Sequence, residues 1–208
     1  FDTTKDGLEY HIGVNHVAHF YLTKLLVDSF EDGGRVISVS SMAEQGAYEG
    51  AGMLFEDWIP TNGDMPSTYE DGKAYGQSKL ANLLFAKEFA TRYADRNITA
   101  YACHPGVIAT DLSRYMAPVL EAEAQAKPFL QRHLATIFGK WFESSLMASP
   151  VGALTQLHLA TADAASLENG AFYHPVGRPV VPTHPQGSNA TLQTILWEET
   201  ERVIKKLV

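Results

Sequence analysis

The sequence predicts an α/β protein, a parallel sheet with helices on both faces. Two observations predict it. Segments with apolar residues at helical spacing alternate with short runs dense in Val, Ile, Ala and Tyr, and Gly- or Pro-bearing turns separate them. Hydroxyls, a histidine and a Tyr/Lys pair follow those apolar runs, and the C-terminal ends of strands are where open α/β sheets meet ligands.

Taken in order, Ile12, Val14, Val17, Phe20, Leu22, Leu25 and Leu26 recur at helical spacing and predict a largely buried helix over 8–30. Asp32-Gly33-Gly34 makes the turn into Arg35-Val36-Ile37-Ser38-Val39, which reads as a short buried strand. Residues 43–73 are rich in Gly, Pro, Asp and Glu and form a long excursion, a length that in compact domains is usually functional. A second helix is expected over 74–93, with Leu80, Leu83, Leu84, Ala86 and Phe89 on its apolar side and Asn97 as a stop signal. Residues 98–103 read as a buried strand closed by His104-Pro105-Gly106. Short helices of a substrate lid are expected over 111–149, with Met116, Phe129, Phe138, Trp141, Phe142 and Met147 serving either an apolar pocket or the core. A helix over 151–161, a strand over 170–173 and an amphipathic helix over 188–207 complete the chain.

The 208 residues suit one domain with a sizeable core. A formal net charge of −8 argues against sequence-independent nucleic-acid binding, which needs basic surface. The single cysteine, Cys103, excludes an internal disulfide and suits a reducing, cytoplasmic setting. No run approaches the roughly eighteen apolar residues of a membrane span.

The chemistry centres on Tyr75-Gly-Gln-Ser-Lys79. Residues four apart share a helical face, so the phenol and the ammonium can address one reacting centre. A free tyrosine, with a pKa of about 10, is a poor acid–base catalyst at neutral pH, and a nearby cation lowers that value. The spacing alone also fits an ordinary exposed helical pair. Its context adds weight: Val36-Ile37-Ser38-Val39-Ser40-Ser41 ends a strand in hydroxyls, and His104-Pro105-Gly106-Val107 follows the next strand at the same edge.

Together with Gly13-Val14-Asn15-His16-Val17-Ala18-His19-Phe20, these motifs resemble the short-chain dehydrogenase/reductase family, most closely its retinol-dehydrogenase-like and WW-domain-oxidoreductase-like branch, from about Asp6 to Ile204. The resemblance implies a Rossmann-type doubly wound sheet and a cofactor that is NADP or NAD, with NADP favoured. It implies that Asn15 kinks its helix and holds a water leading to the lysine. Ser41 then hydrogen-bonds the reacting oxygen, Tyr75 exchanges the proton, and Lys79 binds the nicotinamide ribose and lowers the tyrosine pKa. Pro105, Gly106 and Val107 meet the carboxamide, with Thr110 nearby. The family commonly pairs its second helix with a partner's into homodimers or homotetramers, and Leu80, Leu83 and Leu84 suit that role as well as burial within one chain.

The family's glycine-rich dinucleotide turn, its NAD/NADP-discriminating residue and its Asn-Asn-Ala-Gly motif are expected upstream of Phe1, as is any membrane anchor. The chain is therefore read as the catalytic, C-terminal part of a longer protein. Gly46-Ala47-Tyr48-Glu49-Gly50-Ala51-Gly52 copies the glycine spacing but leads into no evident helix, so it is read as a decoy. His16 and His19 have metal-compatible spacing without a third ligand and are read as structural. Cys103 is read as a core thiol and the terminal helix as packing on its own domain. The expected function is hydride transfer between NAD(P) and an alcohol or carbonyl of an apolar substrate. The alternatives are a non-catalytic interaction or regulatory protein on a truncated reductase fold, and, more weakly, an epimerase or dehydratase using the same Tyr/Lys pair.

Overall fold

The computed structural model of the chain describes residues 1–108 and 146–208. Four strands form one sheet in the order β1 (Arg35–Val39), β2 (Thr99–Cys103), β3 (Phe172–His174), β4 (Arg178–Val180). β1 and β2 run parallel with Val39 opposite Cys103, and β2 and β3 run parallel with Ala102 opposite Phe172. β4 corrects the all-parallel expectation: it returns antiparallel, with His174 opposite Arg178. Its Arg-Pro-Val carries too little apolar pattern to read as a strand, and Gly177, at φ +64, lies in the reversal that creates it.

Burial follows position in the sheet. Ala100 through Cys103 of the inner strand β2 are fully buried, whereas β1 is only half-buried and Val39 is 42% exposed. The expectation of a buried first strand is thus corrected, because among the described residues β1 pairs on one side only.

The first helix is also corrected, from one buried rod to a broken one: α1 (Tyr10–Ile12), a π-helical turn (Gly13–Val17), α2 (Ala18–Leu26) and a 3-10 turn (Val27–Ser29). Glu9 caps α1 by accepting from the His11 and Ile12 amides at 2.9 and 2.8 Å. Ile12, Val17, Phe20 and Val27 are buried, but Val14, Leu22, Leu25 and Leu26 are exposed. The apolar residues cover more than one face of the helix, and only one face has partners among the described residues.

α3 (Asp71–Arg92) lies against β1 and β2 on one side and under α6 (Ala190–Leu207) on another. Leu80, Leu83 and Leu84 are fully buried, so they serve the chain's own core rather than an exposed helix-pairing surface. α6 supplies Leu192, Leu196, Trp197 and Val203 to the same core, as the expectation of intramolecular docking required. Burying such side chains contributes about 1.5–3 kcal/mol each. On the opposite face of the sheet, the expected single helix is split at Ala153 into α4 (Ser149–Gly152) and α5 (Leu154–Thr161). Leu159 of α5 packs with Tyr101, Cys103 and Tyr173. Helices therefore cover both faces, and the fold is α/β.

Candidate active site

Ser40 and Ser41 follow β1, and His104 to Val107 follow β2, so both lie at the C-terminal edge of the parallel strands. α3 is pinned to that edge. Ser40 Oγ donates to Lys79 O at 2.6 Å, Asn82 Nδ2 to Val39 O at 3.1 Å, and Lys79 Nζ to the same Val39 carbonyl at 3.4 Å. These bonds set the second turn of α3, with Tyr75 and Lys79 on one face, beside the Ser41 loop. The Lys79 ammonium sits 5.6 Å from the centre of the Tyr75 ring.

Asn15 lies inside the π-helical turn, a form often found at functional sites. Its Nδ2 donates to Ser78 Oγ at 3.0 Å, and Ser78 Oγ donates to Tyr75 O at 2.7 Å. The kinked segment is thereby joined to the turn of α3 that carries both Tyr75 and Lys79.

Protonation in this structure runs against one expectation. Burial, the largest cause, raises the Tyr75 pKa above its ordinary value, while the Ser41 hydroxyl pulls it down. Ser41 Oγ also accepts from the Ala43 amide at 3.1 Å, capping the 3-10 turn Met42–Gly46. No direct hydrogen bond closes between Ser41 and Tyr75, so the serine's influence is a short-range pull and not a full bond. Lys79 does not depress the phenol here: its own pKa is lowered by burial, and its ammonium turns toward the Val39 carbonyl.

After β2, Gly106 adopts φ +102, and a Cβ there would fall 2.6 Å from Met147 Sδ. Only glycine suits that conformation and that approach. The Met147 amide donates to Val107 O at 2.7 Å, so residues 105–107 form a fixed loop beyond Cys103. Thr110 and the lid residues Met116, Phe129, Phe138, Trp141 and Phe142 lie outside the described residues.

No family model matches the chain. Mouse retinol dehydrogenase 12 is 34% identical over 175 residues, which cover 83% of this chain and 48% of that protein. The solved structure of an uncharacterised protein from Mycobacterium paratuberculosis matches with a TM-score of 0.65 at 30% identity, over 97% of this chain and 61% of that one. The chain belongs to the short-chain dehydrogenase/reductase family. An angucycline C-6 ketoreductase with bound NADP shares the fold at 24% identity and a TM-score of 0.50, over 78% of this chain and 50% of that one. The chain spans about half the length of the curated relatives it matches.

The side chains present suit one end of a dinucleotide. Among the described residues the Lys79 ammonium is half-buried and meets a neutral carbonyl rather than a carboxylate, which suits it to neutral hydroxyls such as those of a ribose. Among the described residues the pyrophosphate end has no such cradle. Gly46 to Gly52 closes a 3-10 turn and a Tyr48–Gly52 bridge, then leads through Met53 and Leu54 into a single 3-10 turn (Phe55–Trp58) rather than a full helix that could face phosphate.

Other candidates take structural roles. His16 Nε2 lies 2.9 Å from Thr200 Oγ, and His19 Nδ1 lies 2.9 Å from Asn15 O. No metal-holding cluster occurs among the described residues. Burial pushes the Cys103 thiol up to about 12, leaving it a neutral core group. A cleft of about 320 Å³ lined by Lys87, Thr91, Glu168 and Gln193 lies at the far end of α3, away from Tyr75.

Two residues near the site escaped sequence reasoning. The His11 ring meets the Tyr75 ring edge-on with centroids 5.6 Å apart, and its spacing of four from Asn15 is the only hint of that. Glu44 is fully buried three residues after Ser41, and nothing in the acidic, glycine-rich excursion singles it out.

Proposed function

We propose that the complete protein is an NAD(P)-dependent oxidoreductase that interconverts an alcohol and a carbonyl on an apolar substrate. The observation that carries this reading is the placement of Tyr75 and Lys79 on one face of α3, at the strand ends and beside Ser41. A bound nicotinamide supplies the hydride in reduction and accepts it in oxidation. Ser41 Oγ donates a hydrogen bond to the substrate oxygen, and Tyr75 Oη delivers the proton as the carbonyl becomes an alcohol. The raised Tyr75 pKa keeps the phenol protonated at neutral pH, the form that reduction requires. Lys79 holds the ribose hydroxyls, and Pro105, Gly106 and Val107 form the backbone wall beside the carboxamide. Thr110 belongs to that same wall in this reading. Asn15 steadies the Tyr75–Lys79 turn through Ser78.

NADP is the favoured cofactor, and the retinol dehydrogenases among the relatives point to a retinoid-like alcohol or aldehyde. The test is NADPH-dependent reduction of retinal by the full-length protein carrying Tyr75→Phe. Loss of the proton donor lowers turnover by about 10²- to 10⁴-fold. Undiminished turnover in that variant would remove Tyr75 from the chemistry and leave a binding role on a reductase scaffold as the better reading. That second reading rests on the lack of a helix-opening glycine turn among the described residues.

A further inference from the structure

Glu44 is an acidic side chain with no exposed surface. Its Oε1 accepts from the Thr183 amide at 2.7 Å and its Oε2 from the His184 amide at 3.0 Å. Among the described residues no lysine or arginine pairs with it. Burying a carboxylate without a cation is unfavourable, and two charge-assisted bonds to backbone offset that only in part. Such an arrangement is better explained by what it holds in place than by stability alone.

What it holds is the Ser41 turn. The Glu44 amide donates to Ser41 O at 3.1 Å, and the Ala47 amide donates to Glu44 O at 3.2 Å. On the other side the turn presses on α3 at Gly76, the residue after Tyr75. A Cβ at Gly76 would fall 2.7 Å from both Ala47 N and Gly46 C, and 2.8 Å from Ala43 O. The turn is therefore clamped between α3 and the 183–184 backbone. That backbone is itself braced, since the Gln186 amide donates to His184 Nδ1 at 3.1 Å and Gln186 Nε2 to Gly50 O at 2.6 Å.

We propose that Glu44 is a positioning residue that sets the distance between the Ser41 hydroxyl and the Tyr75 phenol by tying the Ser41 turn to the 183–184 backbone. Glu44 touches no reacting atom and acts only through Ser41. The proposal rests on the reading of Ser41 and Tyr75 given above. Among the described residues, the groups around the Tyr75 side chain are the Ser41 hydroxyl from the β1 loop, Lys79 one turn along α3, over the ring, and His11 from α1, edge-on to the ring, which meets Asp71 Oδ1 at 3.2 Å.

The test is a double-mutant cycle in the full-length protein on Glu44→Gln and Ser41→Ala. The Tyr75 titration is read as the phenolate absorbance lost in Tyr75→Phe. Ser41→Ala raises the midpoint by about a quarter to half a unit, less than a full neutral hydrogen bond contributes. Glu44→Gln is expected to raise it by a similar amount, and the double variant to go no further than Ser41→Ala alone. In turnover, Glu44→Gln lowers kcat by about tenfold and leaves the KM for NADPH within about twofold. Should Glu44→Gln not fold, Glu44→Asp withdraws the carboxylate by one methylene and carries the same comparison. A midpoint that Glu44 variants leave in place while Ser41→Ala moves it overturns the proposal, as do shifts that simply add. If Ser41→Ala leaves the midpoint in place as well, the pairing of Ser41 with Tyr75 falls together with the proposal. Undiminished turnover in Tyr75→Phe, by contrast, strikes only the functional reading.

Discussion

His16 lies 1% exposed beneath α6, with its ring edge-on to Trp58 and Phe85 and a hydrogen bond to Thr200. Burial, the largest cause, lowers its pKa to about 3, and burial likewise lowers that of His104 to about 4. Both folded values lie below the unfolded one of about 6.5, so the native state favours neutral rings. Their contribution to stability is complete above about pH 6.5 and is lost as pH falls toward the folded values, each adding a slope of at most about 1.4 kcal/mol per pH unit. Urea unfolding between pH 7 and pH 5 measures this, and His16→Gln is expected to flatten the profile. An unchanged slope in that variant would exclude His16 as a source. Sequence reasoning assigned His16 a structural role because no third ligand was near, but its partner stands 184 positions away and no local pattern could name it. Tyr75 and Lys79 were legible for the opposite reason: a helix brings residues four apart together without any tertiary knowledge. Glu44 has the same difficulty as His16, since its donors come from the other end of the chain.

Elements were legible where one period dominated. β2 and α3 were read within a few residues because each is apolar at its own repeat, whereas the π-helical turn at Gly13–Val17 leaves the helical pattern almost unchanged. β4 was missed because three residues with a central proline carry no alternation. α6 shows how an amphipathic element finds its partner. Trp197 packs 4.7 Å from Phe20 and 5.9 Å from Phe85 between ring centres, while Arg92 lies 4.7 Å and Lys24 5.5 Å over its ring. Lys24 also reaches Glu201 at 2.9 Å, so the acidic run of α6 has a use within the chain. Trp197→Ala is expected to destabilise the protein by about 3–5 kcal/mol, through the cavity and the lost aromatic contacts. A lowered urea midpoint with an unchanged denaturant slope is the signature of that loss. A loss below about 1 kcal/mol would mean that α6 is not integral to the core.

For the molecule as a whole, two surfaces stand open among the described residues, one side of β1 and the outer face of α2. β1 leaves one side unpaired among the described residues, and Val14, Leu22 (53% exposed), Leu25 (62%) and Leu26 stand out from the adjoining helical segment. The relatives extend well beyond the matched region: the chain covers 48% of mouse retinol dehydrogenase 12 and 61% of the mycobacterial protein. An unpaired parallel strand and a row of exposed leucines are each a site for association between copies. The 208-residue chain is therefore expected to gain apparent mass with concentration in light scattering. Leu22→Lys with Leu25→Lys removes apolar area worth about 1.5–3 kcal/mol per leucine if fully covered and weakens association by about tenfold or more. Val181→Lys, at an 83% exposed position next to β4 on the other sheet edge, is expected to leave it unchanged and serves as the control. A chain that stays monomeric throughout, or that responds equally to both substitutions, would show that this flank is not the associating surface.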